Sequence, residues 1–163
     1  MDHEDYRQRC IELSEAFEAG DFDRAEAGWH DLLRLPELPV IDRVVLGHNL
    51  ALTVSADGRD AEAEAHMDQA IAWERPLLRA LARSGKADWL ARRGRTAEAV
   101  VILEQLAAEP WTSWGERDAF LRRIAALQEQ QHPAPGSGRP TGPAPKPEPD
   151  LEPQRKRWFG GRS

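Results

Sequence analysis

The chain has 163 residues, 40% of them hydrophobic, and its 22 Lys and Arg against 28 Asp and Glu leave a net charge of −6. That supports one domain with a buried core, and no apolar run approaches the roughly 20 residues that a membrane-spanning helix needs. A single cysteine, Cys10, excludes an internal disulfide and with it a secreted disulfide scaffold.

The charge is uneven along the chain. In the segment 132–163 six basic residues stand against three acidic ones, so this segment is +3 and residues 1–131 carry −9. An acidic body repels phosphate backbones, which argues against nucleic acid as a partner. The acidic opening Met1-Asp2-His3-Glu4-Asp5 is the opposite of a signal peptide, so a cytoplasmic protein is expected.

Apolar spacing predicts seven helices. The first, 5–19, places Tyr6, Cys10, Leu13 and Phe17 on one face, and Gly20 stops it. The second, about 24–35, takes Asp21 or Asp23 as N-cap and turns Ala25, Trp29, Leu32 and Leu33 inward before Pro36 and Pro39. The third, capped by Asp42, carries Val44, Val45, Leu46, Leu50, Ala51 and Val54 over more than half its circumference, as a central helix would. The fourth follows Asp57-Gly58, takes Asp60 as cap, and buries Ala63, Met67, Ala70 and Ile71 before Pro76.

The fifth helix, 77–93, has Leu77, Leu78, Leu81, Trp89 and Leu90 as its apolar residues, with Gly85 inside it at a cost of about 1 kcal/mol relative to Ala. Gly94 turns the chain, Thr96 caps the sixth helix, and Ala99, Val100, Ile102, Leu103 and Leu106 face the core before Pro110. Ser113-Trp114-Gly115-Glu116 reads as a capping box. It opens a last helix with Phe120, Leu121, Ile124 and Leu127 inward and Arg117, Asp118, Arg122, Arg123, Gln128 and Glu129 outward, the polar face of a terminal, capping element. Trp111 and Trp114 are expected to fill the gap beneath it.

Beyond Gln131 the composition changes. Eight of the twelve prolines lie in 132–153, with no apolar periodicity, so this stretch is expected to be an extended, disordered linker between the domain 1–131 and a terminal motif in 154–163. That motif holds Arg155, Lys156, Arg157, Trp158 and Phe159.

One unit occurs three times. Gly20, Gly58 and Gly94 are each followed five residues later by Ala25, Ala63 or Ala99, then by Trp29, Met67 or Leu103, and three further on by Leu32, Ala70 or Leu106. Pro36, Pro76 and Pro110 close the copies. The spacings between the glycines, 38 and 36 residues, are those of a helix-pair repeat. The glycine permits a left-handed turn, and the alanine is small because the two helices cross closely there.

This pattern resembles the tetratricopeptide repeat over about 5–131. The resemblance implies an all-α, right-handed solenoid of three helix pairs plus the capping helix. It also implies a concave groove, lined by the first helix of each pair, that receives a protein or peptide. By alignment the groove holds Arg7, Cys10 and Ser14 from the first copy, His48, Asn49 and Leu52 from the second, and Leu81, Ser84, Asp88 and Arg92 from the third. Some family members clamp a C-terminal carboxylate with lysines, asparagines and arginine at such positions. Only Asn49 matches, with Cys10, Ser14, Leu81 and Gly85 at the others, so that clamp is not expected. The copies depart from the family at Glu12-Leu13, where a large residue followed by a small one is usual, and at Lys86, where an aliphatic is usual.

Chemistry-bearing residues are sparse. His30, His48 and His66 fall on different helices without a second ligand in a known metal pattern, and His48 reads as a hydrogen-bonded core or groove histidine. Cys10 reads as a small buried hydrophobe. Neither a phosphate loop nor a nucleophile elbow is present, so no cofactor, no metal and no enzyme activity are expected. The ending 156–161 is similar to the C-terminal membrane-targeting segments of bacterial division-site ATPases. Trp158 and Phe159 would gain about 1.5–3 kcal/mol each if fully buried, and the nearby cations about 1 kcal/mol each at an anionic surface. The expected function is therefore that of an adaptor with a tethered second contact. The alternative is a peripheral membrane protein recruited to anionic lipid by its tail.

Overall fold

Three turns of identical backbone organise the molecule. A computed structural model describes residues 3–131 of the chain. Among them are seven α-helices and no strand: α1 (His3–Glu18), α2 (Phe22–Leu33), α3 (Val40–Ala56), α4 (Asp60–Glu74), α5 (Leu81–Arg92), α6 (Thr96–Ala108) and α7 (Trp114–Gln131). A short 3-10 turn, Arg75–Leu77, precedes α5. The linker 132–153 and the motif Arg155, Lys156, Arg157, Trp158 and Phe159 lie outside the described residues.

Gly20, Gly58 and Gly94 have φ of 78°, 85° and 77°, a conformation that a side chain disfavours. After α1, Gly20 N–H donates to Phe17 O (3.0 Å) and Asp21 N–H to Ala16 O (2.9 Å). The same two bonds recur from Gly58 and Arg59 to Ser55 and Val54, and from Gly94 and Arg95 to Ala91 and Leu90. Each is a Schellman turn, which satisfies the orphan carbonyls at the helix end and reverses the chain in two residues.

Counted from these glycines, the core falls at matching positions. Seven before stand Leu13, Ala51 and Ala87; four before, Ala16, Val54 and Leu90; five after, Ala25, Ala63 and Ala99; nine after, Trp29, Met67 and Leu103. All of these are buried. Each helix packs on the next in chain order, and α3 also meets α5. Arg59 reaches back to Glu26 of α2 and forward to Glu62, and Arg95 reaches back to Glu64 of α4 and forward to Glu98. The register between the first and second pairs is thus repeated between the second and third.

α3 is the central element. Its buried hydroxyls take an indole from either flank: Trp29 Nε1 donates to Thr53 Oγ1 (3.2 Å) and Trp89 Nε1 to Ser55 Oγ (2.7 Å). Both tryptophans are buried, and each indole N–H has the partner that burial requires.

Several helix starts differ from expectation. Asp21 caps α2 as expected, accepting from Arg24 N–H (3.3 Å). Asp42, Asp60 and Thr96 are not caps: α3 begins at Val40 behind Pro39, and Asp60 and Thr96 are the first residues of α4 and α6, behind Arg59 and Arg95. The Schellman turns carry the chain directly into the helix there, and the two arginines direct their side chains into ion pairs instead. Asp60 instead accepts from Ser55 Oγ (3.0 Å).

The fifth helix starts at Leu81 rather than at 77. Pro76 has no N–H to continue α4, and Leu78 takes a left-handed φ of 51° and is exposed. Ala80 at the N-cap has no side chain to offer. Glu74, fully buried at the end of α4, takes over that role: Oε1 accepts from Ala82 N–H (2.7 Å) and Oε2 from Arg83 N–H (3.2 Å).

The capping box of α7 forms in both directions, Ser113 N–H to Glu116 Oε2 (3.0 Å) and Glu116 N–H to Ser113 Oγ (3.3 Å). The box fixes the start of α7 so that Trp114 lies on the same outer face as Arg117. Trp114 therefore does not fill the gap: it is 85% exposed, with the Arg117 guanidinium 5.4 Å from its ring. Trp111 alone packs against the core there. Val45 and Leu121 are exposed as well, each beside a neighbour, Val44 or Phe120, that occupies the buried side.

Candidate functional site

The first helices of the pairs, α1, α3 and α5, carry all ten expected groove residues, six of which fall into two groups. Ser14, Asn49 and Leu52 come together with Phe17, Trp29 and Thr53 around a cleft of about 80 Å³. Ser14 and Leu52 each stand six residues before their turn glycine, so the repeat register brings them side by side. The floor is held rigidly, because Thr53 Oγ1 takes the Trp29 indole and itself donates to Asn49 O (2.9 Å). The cleft thus has an aromatic and aliphatic floor with a carboxamide and a hydroxyl at its edge.

The second group gathers around His48. Its imidazole faces Gly85 of α5, where an added Cβ would lie 2.4 Å from Cε1. Nδ1 is buried without a hydrogen-bond partner, which departs from the hydrogen-bonded histidine expected. Burial and then the Arg92 charge push the imidazole below its ordinary pKa, while Asp88 pulls it back. Asp88 also receives Arg123 of α7, tying the last helix to α5.

Arg7, Leu81 and Ser84 line neither the cleft nor the His48 contact. Arg7 is exposed, Leu81 is 44% exposed, and Ser84 Oγ donates to Leu81 O (3.1 Å). Cys10 packs against the core beside Tyr6. Burial raises the pKa of its thiol, against a hydrogen bond from Tyr6, and burial raises the Tyr6 phenol too. Tyr6 also borders a depression of about 360 Å³ with Asp42 and the link 35–39.

No protein-family model, curated protein or solved structure matches the chain. The repetition is internal to the chain: three copies of one residue pattern, three copies of one turn and two copies of one ion-pair register. Among the described residues no group of three or more His, Cys, Asp and Glu is placed to hold a metal ion. No described helix is long and apolar enough to cross a membrane.

Two features escaped sequence reasoning. His30 and His66 meet, ring centroids 5.8 Å apart, although they belong to different pairs. The signal was their separation of 36 residues, close to one repeat, shared by Glu26 and Glu62 one turn before them. The buried cap Glu74 stands sixteen residues after Gly58, where the other copies have Pro36 and Pro110, so its oddity was also visible in the alignment of the copies.

Proposed function

We propose that the chain is a non-enzymatic, cytoplasmic adaptor. In this reading its three helix pairs stack as a right-handed, tetratricopeptide-like solenoid, α7 closes the stack, and the face of α1, α3 and α5 receives a protein or peptide segment. The observation that carries this reading is the cleft of Ser14, Asn49 and Leu52 over Phe17 and Trp29. A small apolar floor with a few polar groups at its edge suits one apolar side chain of an extended partner, with the Asn49 carboxamide bonding the partner's backbone. Arg155, Lys156, Arg157, Trp158 and Phe159 supply a second contact on a long tether, which raises the effective concentration at the first.

The test uses the full chain crosslinked to its partners in cells. Leu52→Glu is expected to lose the partners of the unaltered chain while remaining helical by circular dichroism, and Trp158→Ala with Phe159→Ala to weaken the same set. An unchanged partner set in Leu52→Glu overturns the groove.

The basic-aromatic ending supports a second reading, recruitment to anionic lipid. Flotation with vesicles containing phosphatidylserine separates the two. Low-salt binding that disappears in Trp158→Ala with Phe159→Ala would favour the membrane, and its absence excludes it.

A further inference from the structure

We propose that His30 and His66 form an acid-sensitive latch between the first and second helix pairs. The two rings meet edge to face, with centroids 5.8 Å apart and planes at 68°, one from α2 and one from α4. His66 Nε2 is buried without a hydrogen-bond partner and lies 3.8 Å from Glu62 Oε1; His30 Nε2 lies 4.0 Å from Glu26 Oε1. Each histidine therefore has a carboxylate one turn before it, and the other oxygen of each carboxylate is already held by a cation. Arg59 stands between them, bonding Glu26 through one nitrogen and Glu62 through another (3.1 Å), and Asp57 through Nε (3.1 Å). Asp23 lies in the same depression as Glu26, His30, Asp57 and Arg59 and completes the charged surroundings.

With both rings neutral the contact is an ordinary aromatic edge-to-face pair, favourable by geometry and burial. A proton on His66 meets three opponents: burial, the neighbouring His30, and Arg59. Glu62 and Glu26 favour it, but the balance holds His66 below its ordinary pKa. When both rings are charged, two cations face each other across the joint beside a third, Arg59. The closed joint thus excludes a proton that the open one accepts.

The direction follows from linkage. A histidine whose folded pKa is depressed contributes its full stability above its unfolded value, about 6.5, and loses it as pH falls from there toward the folded value. Within that window opening rises by up to about tenfold per pH unit for the one proton that His66 takes up. Mild acid therefore loosens the α2–α4 joint, whereas the α5–α6 contact is made by two helices that contain no histidine.

Amide hydrogen exchange on the full chain between about pH 7.5 and pH 5.5, corrected for intrinsic exchange, tests this. The expected result is a loss of protection in α1 and α2 that exceeds the loss in α5 and α6. His66→Gln and His30→Gln, made separately so that one folding failure does not end the test, should each flatten the selective loss. It should persist in His48→Gln, which removes the other buried imidazole. Ring titration by NMR should place His66 below the ordinary histidine value. Uniform loss across the helices, a selective loss that survives both Gln variants, or one that disappears in His48→Gln would each overturn the latch.

Discussion

The imidazole of His48 rests on the backbone of Gly85, joining α3 to α5 where an added Cβ would come within 2.4 Å of its ring. A glycine inside a helix costs about 1 kcal/mol relative to Ala, so Gly85→Ala would ordinarily stabilise the fold. Here the ring is wedged between helices, and overpacking of such a contact costs about 1–3 kcal/mol. Gly85→Ala is expected to lower Tm in the unaltered chain and to raise it in a His48→Ala background. Thermal denaturation of the four combinations measures the coupling, and no reversal of sign would mean that the ring moves aside freely.

The same imidazole should make stability fall in acid. Burial and Arg92 depress its pKa and Asp88 opposes them. The unfolded chain therefore binds the proton more readily, and the contribution of the neutral ring is whole above about pH 6.5 and declines below it. Asp88→Asn removes the upward pull and leaves Arg123 without its partner, so His48 should titrate lower still. NMR titration of the ring in the two chains decides the matter; a higher value in Asp88→Asn contradicts the assignment of its neighbours.

Leu13 packs into the space that Gly28 leaves open: a Cβ at position 28 would lie 2.1 Å from Leu13 Cδ2. Both residues are buried, and the contact joins α1 to α2. Gly28→Ala is expected to destabilise by about 1–3 kcal/mol, despite the better helix propensity of Ala. Leu13→Ala, which matches Ala51 and Ala87 of the other copies, should cost less in the Gly28→Ala background than alone, as chemical denaturation would show.

This pair also marks how far the sequence could be read. The position of Leu13 looked like a departure from the repeat, yet a large residue there is offset by a small one on the facing helix. Periodicity locates a buried position but not the shape of its neighbour, and so the helices, their order and the turn glycines were legible while the Leu13–Gly28 and His48–Gly85 contacts were not. Helix starts failed for a related reason. Asp42, Asp60 and Thr96 have the chemistry of caps, but the Schellman turns and Pro39 place the first helical residue at or before them. Of the expected groove, the repeat register explains why Ser14 and Leu52 meet. It did not foresee that Asp88 is engaged by Arg123, because that contact comes from α7, outside the three copies.

Glu74 should be the most sensitive carboxylate in the described fold. It is fully buried and bonds two backbone amides that begin α5, with Arg83 Nε 3.7 Å away. Glu74→Ala leaves those amides and Arg83 without this partner, and a lost cap costs about 0.5–2 kcal/mol before the buried donors are counted. Glu74→Gln keeps one carbonyl oxygen and should cost less. Ala80 already occupies the N-cap position, so Ala80→Ser supplies a local acceptor that the native chain lacks. In the Glu74→Ala background it should recover part of the lost stability, and in the unaltered chain it should do little, because the amides are already taken. If Ala80→Ser stabilises both chains equally in urea denaturation, Glu74 is not the cap and its burial has another cause.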